Sequence, residues 1–446
     1  MVRYDSYKDS GVEWINEIPS NWEKSRIRMV GDLYGGLTGK KGSDFNDEDN
    51  PSNKPFVPFT NIFNNTYISK DHFQYVNVEE TENQNRVLKN DLFFLMSSES
   101  YEDLGKCSIL LDDVEELYLN SFCKGFRIKD SKVYPLFLNY QLLGSLHKEM
   151  ISVEGNGFTR INLRQDRLLD IPVFIPPLSE QQQIVSFLDT KTSLIDSLIE
   201  KTQQKIELLK EKRTSLINEV VTKGLNPNVE MKDSGVEWIG EIPSHWFCVG
   251  TNKVYHDLGT GTTPTSDNSE YYSDNGYHWI TTTDLNEGIM YDTLSKITEK
   301  SVEDYPNLRL YPSGSIYISM YGGRIGKLGV STFDSYCNQS VCVLPKNDTI
   351  IVKFYYYWFL GFQEFVKGMG RGGGQPNINK DMIKSFPTVK IPLSEQQQIV
   401  DYLDEQTQLI DNTISIEEKR IELLKEYRQS LISEVVTGKL KVTTDE

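Results

Sequence analysis

The sequence predicts a mixed α/β (α+β) chain made of two globular domains and two long helices. Three observations predict this fold class. Matched segments bound both halves of the chain, each half closes with a heptad-spaced helical stretch, and the middles are rich in short β-type runs. A repeat of roughly 220 residues indicates duplicated domains, because solenoid repeats have periods of about 20–50 residues.

The repeat consists of two matched motifs. The sequence Lys-Asp-Ser-Gly-Val-Glu-Trp-Ile stands at residues 8–15 and returns at 232–239. The sequence Pro-Leu-Ser-Glu-Gln-Gln-Gln-Ile-Val stands at residues 177–185 and returns at 392–400. Closely matched ends around a divergent middle are the pattern expected of a constant scaffold that holds two different binding surfaces.

The divergent middles align only in fragments. Gly105 and Asn120 are expected to match Gly326 and Asn338. The β-rich runs at comparable places are 56–62 and 278–285, and also 91–96 and 315–320. The loops 155–162 and 370–379 are expected to hold the same place before each long helix.

Each half ends in a stretch that predicts a long helix. Ser179 is expected to cap the first helix, and Gly224 and Gly438 stand where a helix-ending glycine is expected. Apolar residues recur in each stretch at spacings of three and four, which is typical of a coiled-coil seam. The apolar seam residues are Ile195, Ile199, Ile206, Leu209, Leu216 and Val220, and Ile410, Ile414, Ile421, Leu424, Leu431 and Val435.

The two helices are expected to pair with each other as an antiparallel coiled coil, which gives an internal pseudo-twofold repeat. Each helix is about 60 Å long at a rise of 1.5 Å per residue. The alternative is that each helix packs on its own globular domain. The expected globular domains are residues 1–175 and 226–391, and the expected helical segments are residues 176–225 and 392–446.

Composition excludes several classes of protein. The net charge of −17 argues against nonspecific coating of nucleic acid, although it leaves room for local basic patches. The five cysteines include no Cys-x-x-Cys pair, as expected of reduced residues in a cytosolic protein. The longest strongly apolar run, 354–362, is far shorter than the roughly 20 residues that span a bilayer. A cytoplasmic protein without a membrane segment is therefore expected.

A search for catalytic motifs finds none that is complete. The glycine-rich segments 35–40 and 322–327 are each one residue short of a phosphate-binding loop and lack its Ser or Thr. Only five histidines are present, without metal-binding spacing, so no metal site is expected. A duplicated unit without a catalytic constellation favours a binding protein over an enzyme.

The two repeated motifs, together with Ile-Glu-Leu-Leu-Lys-Glu at 206–211 and 421–426 and the loop 374–379, resemble the specificity subunits of type I DNA restriction–modification systems. The resemblance covers nearly the whole chain. It implies that each globular domain is a target recognition domain that reads one half of a split site in double-stranded DNA. It also implies that the helices set the gap between the half-sites, with the readers about one helical turn (~34 Å) apart.

The resemblance also implies partners. Two methyltransferase (modification) subunits would use S-adenosylmethionine to methylate adenine, and restriction/translocase subunits would use ATP and Mg. The chain itself would be non-catalytic and hold no cofactor. It departs from the resemblance at 159–162, where Thr-Arg-Ile-Asn stands in place of the Gly-Gln-Pro-Asn of 374–377.

Candidate DNA-contacting residues follow from side-chain chemistry. Arg and Lys suit guanine and phosphate, Asn and Gln suit adenine, and Ser and Thr in glycine-rich loops suit phosphate. The candidates are Thr38, Lys40, Lys41, Arg160, Asn162 and Arg164, and Thr262, Thr263, Arg324, Lys327, Gln375, Asn377 and Asn379. The alternative for each is a loop residue that caps a helix or joins domain to helix, and this alternative is favoured for Asn377 and Asn379.

Two other functions fit the sequence. A tandem protein-interaction scaffold would present two globular domains on a coiled coil, and the acidic charge favours it slightly. A nuclease with a dispersed active site is the second alternative.

Overall fold

Two long helices form where the sequence predicts them. In the computed structural model, which describes residues 2–46, 53–370 and 376–443, the first long helix spans Leu178–Lys223 and the second spans Leu393–Val436. Gly224 and Gly438 follow these helices with φ of 72° and 73°. Glycine adopts this left-handed conformation without steric cost, so the predicted helix-ending glycines are confirmed.

The start of the first long helix differs from the prediction. The helix begins at Leu178, so Ser179 lies within the first turn and is not the capping residue. The backbone N–H groups of Glu180 and Gln181 donate to the Pro177 carbonyl oxygen at 2.9 and 3.0 Å. The prediction for Ser179 was wrong because the Pro177 carbonyl already accepts the first bonds of the helix.

Contacts divide the chain into two compact units, and each unit contains part of both long helices. The first unit comprises residues 1–202 and 419–446, and the second unit comprises residues 203–418. Each unit therefore combines one globular domain with the start of one long helix and the end of the other.

Within the second unit, two ion pairs define how the helix segments run. Lys205 contacts Glu417 at 2.6 Å, and Arg213 contacts Asp411 at 2.9 Å. Residue numbers rise along one helix as they fall along the other, so the segments are antiparallel. The predicted antiparallel pairing is confirmed.

The first unit repeats one of these ion pairs. Arg428 contacts Asp196 at 2.9 Å, and these two residues are the repeat copies of Arg213 and Asp411. The same charge pair therefore joins the two helices in both units, as an internal repeat requires.

The seam residues lie on the covered side of the helices. All twelve are buried or half-buried, whereas the neighbouring Leu194, Leu208, Leu409 and Leu423 are exposed. Burial thus separates the seam from other apolar positions on the same helices.

Among the residues that the structure describes, the first unit contains three sheets, two strand pairs and several short helices. Its largest antiparallel sheet places Phe126 opposite both Leu33 and Leu92 in register. In sheet order, the strands of this sheet are Cys107–Ile109, Leu92–Leu95, Cys123–Ile128 and Gly31–Gly35. The second sheet is Tyr118–Leu119, Asn53–Val57, Gln74–Asn77 and Phe45–Asn46, and the third is Gly155–Asn156, Ile161–Leu163 and Ser97–Ser98. The two strand pairs are Tyr7–Asp9 with Glu17–Pro19, and Pro172–Ile175 with Glu23–Arg26. The helices are Ile27–Val30, Phe59–Asn64, Pro135–Leu143, Ser145–Val153 and Gln165–Asp170, with 3-10 turns at Gly42–Asp44 and Lys70–His72.

The second unit repeats this plan with different lengths. Its five-stranded sheet is, in order, Gly259–Thr260, Val341–Leu344, Ile316–Ser319, Leu328–Ser331 and Gly288–Met290. A three-stranded sheet is formed by Lys296–Ile297, Tyr272–Ile280 and Tyr336–Cys337. The two strand pairs are Met231–Asp233 with Glu241–Pro243, and Phe247–Gly250 with Pro387–Lys390. The helices are Glu299–Asp304, Val352–Gly361, Gln363–Gly368 and Lys380–Ser385, with 3-10 turns at Thr251–Lys253, Ser269–Tyr271, Thr282–Asp284 and Gly322–Arg324.

The predicted β-rich runs 56–62 and 278–285 are only partly strand. The strands end at Val57 and Ile280, and the chain then turns into the helix Phe59–Asn64 and the 3-10 turn Thr282–Asp284. The runs change structure at these points because Pro58 precedes the helix and the side chain of Asp284 accepts the Thr281 N–H at 2.8 Å.

A buried tryptophan connects the parts of each unit. Trp22 donates its indole N–H to Glu180 at the start of the first long helix at 3.0 Å. In the same way, Trp246 donates its indole N–H to Glu395 at the start of the second long helix at 2.9 Å. The matched tryptophan of the repeat therefore joins the first strands of each globular domain to a long helix.

Candidate nucleic-acid interface

The same backbone junction holds a different loop in each unit. The N–H of Leu163 donates to the Met96 carbonyl, and the N–H of Ile378 donates to the Met320 carbonyl, each at 2.9 Å. Both loops therefore end at equivalent places, at Leu163 and Ile378, and residues 371–375 of the second loop lie outside the described residues. This junction fixes where the two loops emerge and leaves their side chains free to differ.

Two further junctions confirm the predicted matches within the divergent middles. Gly105 and Gly326 both have positive φ, and the N–H of each donates at 2.9 Å to the end of a core strand, at Leu95 and Ser319. The polypeptide turns tightly there, so the glycine is required in both units.

The matched asparagines open the next loop in the same way. Asn120 accepts the N–H of Phe122 at 2.9 Å, and Asn338 accepts the N–H of Ser340 at 3.1 Å. The residues between and after them differ, which makes this turn a second place where a constant backbone carries variable side chains.

The first candidate cluster of the first unit is held largely by internal contacts. Thr38 donates its N–H to the side chain of Gln84 at 3.1 Å, and Lys40 contacts Glu82 at 2.5 Å. Only 9% of the Lys40 side chain is exposed. The hydrogen bond from Lys40 is the main cause that lowers the pKa of Glu82 to about 2, so the Glu82 carboxyl group is charged at neutral pH. Lys41 is exposed and contributes its backbone N–H to Asp44.

We expect Lys40 to be a phosphate contact that Glu82 releases when DNA binds, so Lys40→Ala should weaken DNA binding across all sequences and reduce its salt dependence. Loss of one phosphate contact lowers the slope of log affinity against log salt by about 0.9. Glu82→Gln is the matched variant, because it frees the ammonium group and should raise nonspecific affinity. Fluorescence anisotropy at several salt concentrations measures both. An unchanged slope in Lys40→Ala would remove Lys40 from the phosphate contacts and leave it the role of partner to Glu82.

The second candidate cluster of the first unit lies at the loop junction. Arg160 donates its Nε–H to Ser97 Oγ at 2.5 Å, and its guanidinium carbon lies 5.5 Å from the centre of the Phe122 ring. Asn162 is exposed on the strand that pairs with Ser97. Arg164 instead forms a two-bond pair with Asp166 at 2.8 and 3.0 Å. Arg160 and Asn162 are therefore brought together, while Arg164 is engaged by its neighbour.

The candidates of the second unit form two groups. Thr262 accepts the indole N–H of Trp279 with its carbonyl at 3.2 Å, and Thr263 donates its hydroxyl to the exposed Gln339. Arg324 donates to the carbonyls of Thr282 and Leu285 at 2.7 Å, and Lys327 pairs with Glu287. Arg324 and Lys327 therefore hold loops together, whereas Thr263 and Gln339 present polar groups at the surface.

The last three candidates belong to the loop before the second long helix. Gln375 lies outside the described residues. Asn377 is exposed and pairs through its backbone with Tyr321. Asn379 caps the helix Lys380–Ser385 by accepting the Met382 N–H at 2.9 Å. The capping role that was favoured for Asn379 is the one the structure gives it.

Sequence reasoning missed several exposed residues at these junctions. Phe122 and Phe158 lie exposed in loops of the first unit beside the half-buried Ser97, and the exposed Gln339 lies in the matched turn of the second. The signal that could have found Phe122 and Gln339 was the matched asparagine itself, because the divergent residues of that turn directly follow it.

Other chemistry is not apparent at these sites. Within residues 2–46, 53–370 and 376–443, no group of three or more His, Cys, Asp or Glu side chains is placed to hold a metal ion. All five cysteines are free, and four of them are buried. In the same described ranges, no helix is both long and apolar enough to cross a membrane.

Two copies of one α/β unit, with different side chains on repeated junctions, define a duplicated recognition protein. A family model described as "Type I restriction modification DNA specificity domain" matches residues 19–208 and 256–426. The type I restriction enzyme MjaVIII specificity subunit of Methanocaldococcus jannaschii is 27% identical over 445 residues, which cover 95% of this chain and 94% of that subunit.

Solved structures share the fold. A structure described as "Structural basis underlying complex assembly and conformational transition of the type I R-M system" has a TM-score of 0.72 and 16% identity, and the alignment covers 95% of this chain and 99% of that one. The HsdS subunit from Thermoanaerobacter tengcongensis has a TM-score of 0.55 and 15% identity over 95% of this chain and 98% of its own.

The chain belongs to the type I restriction–modification DNA specificity family, and it is a specificity subunit of such a system. The family is non-catalytic in itself. The tandem interaction scaffold and the nuclease are therefore not favoured.

Proposed function

We propose that each unit reads one half of a bipartite site in double-stranded DNA and that the paired helices set the gap between the halves. The observation that carries this proposal is the repeated set of junctions. The bonds Leu163–Met96 and Ile378–Met320 hold loops whose exposed residues differ between the units. A constant backbone with variable side chains is what two readers of different sequences need.

The chemistry of the loops supports base reading. Arginine pairs with the O6 and N7 acceptors of guanine, and glutamine pairs with N6 and N7 of adenine. Arg160 is exposed in the first unit and Gln339 in the second. The two units thus offer different hydrogen-bonding groups at their loop junctions, which supports half-sites of different sequence.

The chain directs chemistry that partner subunits perform. Two methyltransferase subunits methylate adenine with S-adenosylmethionine, and restriction/translocase subunits cleave DNA with ATP and Mg. The net charge of −17 supports this division of labour, because partners then supply much of the cationic surface that DNA binding requires. We place the assembly in the cytoplasm, where bacterial and archaeal DNA is accessible.

A pair of matched loop variants tests this function. Gln339→Ala should lose discrimination against changes in one half-site by about 5- to 150-fold, the range for one bidentate base contact, and keep discrimination in the other. Ser97→Ala removes the hydroxyl that holds Arg160 and should affect only the other half-site. Binding of the complex is measured on duplexes with the intact site and with either half scrambled. Equal loss at both half-sites in either variant would contradict the assignment of one unit to one half-site.

A further inference from the structure

The first unit carries two exposed phenylalanines beside its candidate DNA-contacting arginine. The side chain of Phe158 is 103% exposed and that of Phe122 is 60% exposed. Isolated exposed apolar side chains are common on protein surfaces, so exposure by itself does not identify a site. The surroundings of these two rings provide independent observations.

A rigid hairpin presents Phe158. Gly155–Asn156 pairs with Ile161–Leu163, and this second strand also pairs with Ser97–Ser98, so residues 157–160 form a tip held by three strands. Gly157 has a φ of 141°, and a Cβ there would lie 2.0 Å from the Arg160 carbonyl oxygen. Only glycine fits this turn, and the side chain of the next residue, Phe158, projects fully into solvent.

Arg160 is positioned rather than neutralised. It donates its Nε–H to Ser97, and its guanidinium group lies over the Phe122 ring. No carboxylate pairs with it among the residues that the structure describes, and its two terminal nitrogens make no hydrogen bond there. A held arginine with free terminal nitrogens suits a base edge or a phosphate.

An open cleft adjoins these residues. Its volume is about 620 Å³, and its lining includes the rings of Phe59, Phe63 and Phe122 together with Ser97 and Arg160. Aromatic rings and arginine planes stack on nucleobases, and apolar side chains can enter base steps or touch the thymine methyl group. The cleft therefore offers aromatic rings and the Arg160 guanidinium group to a base, and its lining also includes the carboxylates of Glu99 and of Asp103, which is bonded to Ser100 and paired with Lys106.

We infer that Phe158 and Arg160, supported by Phe122, form the base-contacting surface of the first unit, and that the Phe158 ring enters the DNA at its half-site. This inference rests on the proposed function and specifies which side chains perform it. Phe158 contacts bases directly, and Phe122 acts as a positioning residue that supports the guanidinium group of Arg160.

The second unit has no phenylalanine at the sequence position that matches Phe158. The repeat relates Phe158 to Gly373 within the segment Gly-Arg-Gly-Gly-Gly at 370–374. Entry of the Phe158 ring into DNA is thus assigned to the first half-site.

The test uses the full chain in complex with its methyltransferase partner and a duplex that carries its methylated motif. Phe158→Ala should lower affinity for the intact motif by about 5- to 150-fold, the range for one stacked base. Discrimination at the first half-site should fall, and discrimination at the second should remain. Phe122→Ala should weaken the first half-site as well. Phe247→Ala is the matched control, because Phe247 is 62% exposed on the strand Phe247–Gly250, outside the loop junctions, and binding should be unchanged.

Two modified duplexes define the contact. With 2-aminopurine at each step of the first half-site, a fluorescence rise that Phe158→Ala abolishes supports unstacking of the bases by the entering ring. With uracil in place of thymine, an affinity loss seen in the unchanged chain but not in Phe158→Ala supports contact with the methyl group. Unaltered affinity and discrimination in Phe158→Ala would overturn the inference. Failure of the unchanged chain to discriminate either half-site would overturn the proposed function and the inference with it.

Discussion

Trp22→Ala should lower the free energy of unfolding of the first unit by about 3–5 kcal/mol, the range for removal of a buried tryptophan. Trp22 is fully buried and lies edge-to-face with Tyr4 and Phe137 at 6.1 Å between ring centres. It also donates to Glu180, and a Cβ at Gly438 would lie 3.4 Å from its ring. One side chain thus joins the globular domain to the start of one long helix and the end of the other.

Trp246→Ala is the matched variant in the second unit. Trp246 donates to Glu395, and a Cβ at Gly224 would lie 3.2 Å from its ring. Trp22→Phe keeps one aromatic ring but removes the hydrogen bond to Glu180 and leaves a smaller cavity, so it should cost less than Trp22→Ala. Urea unfolding of the full chain, followed by hydrogen exchange in each unit, measures the effects. A loss below 1 kcal/mol in both alanine variants would contradict the joining role of the tryptophans.

Exchange of residues 1–175 for those of a relative should change one half-site completely and leave the other unchanged. The expected effect is a switch of specificity rather than a loss of binding, because the exchanged segment contains the loop junctions of the first unit. The measurement is the methylated motif of the chimaera compared with those of both parents. A change in both half-sites would contradict the assignment of one reader to each unit.

The contacts of the first unit dictate how the chimaera is built. Gln141 donates to the Val436 carbonyl at 3.1 Å, and Ser145 bonds to Ser433 at 2.9 Å near the end of the second long helix. A donor segment needs matching groups at these positions, or residues 419–443 must be exchanged with it. A second chimaera that includes this helix end is the control for a misfolded junction.

The apolar periodicity of the sequence predicted the two long helices correctly, but the residue type at position 179 predicted the wrong start for the first helix. The seam of alternating spacing depends only on which residues are apolar, so the antiparallel pairing followed from the sequence. Ser179 looked like a cap because serine usually serves that role, yet the Pro177 carbonyl begins the helix earlier. The difference lies in a backbone conformation that the residue types do not determine.

The candidate site was less predictable because its contacts connect distant parts of the chain. Lys40 was chosen for its charge, but Glu82 lies beside it in the folded unit. Arg324 was chosen for its base-reading chemistry, but the carbonyls of Thr282 and Leu285 occupy its guanidinium group. Residue type predicts what a side chain can bind, whereas the partner that it meets depends on tertiary structure.

Adenine-methylation mapping is the most direct test of the two-reader account. DNA is sequenced from cells that express this chain with its methyltransferase partner, and from cells that express the partner alone. The account predicts one split motif, two short half-sites separated by a fixed unspecified gap, which appears only when this chain is present. An unsplit motif, or no new methylation in cells where the assembled complex is detected, would contradict it.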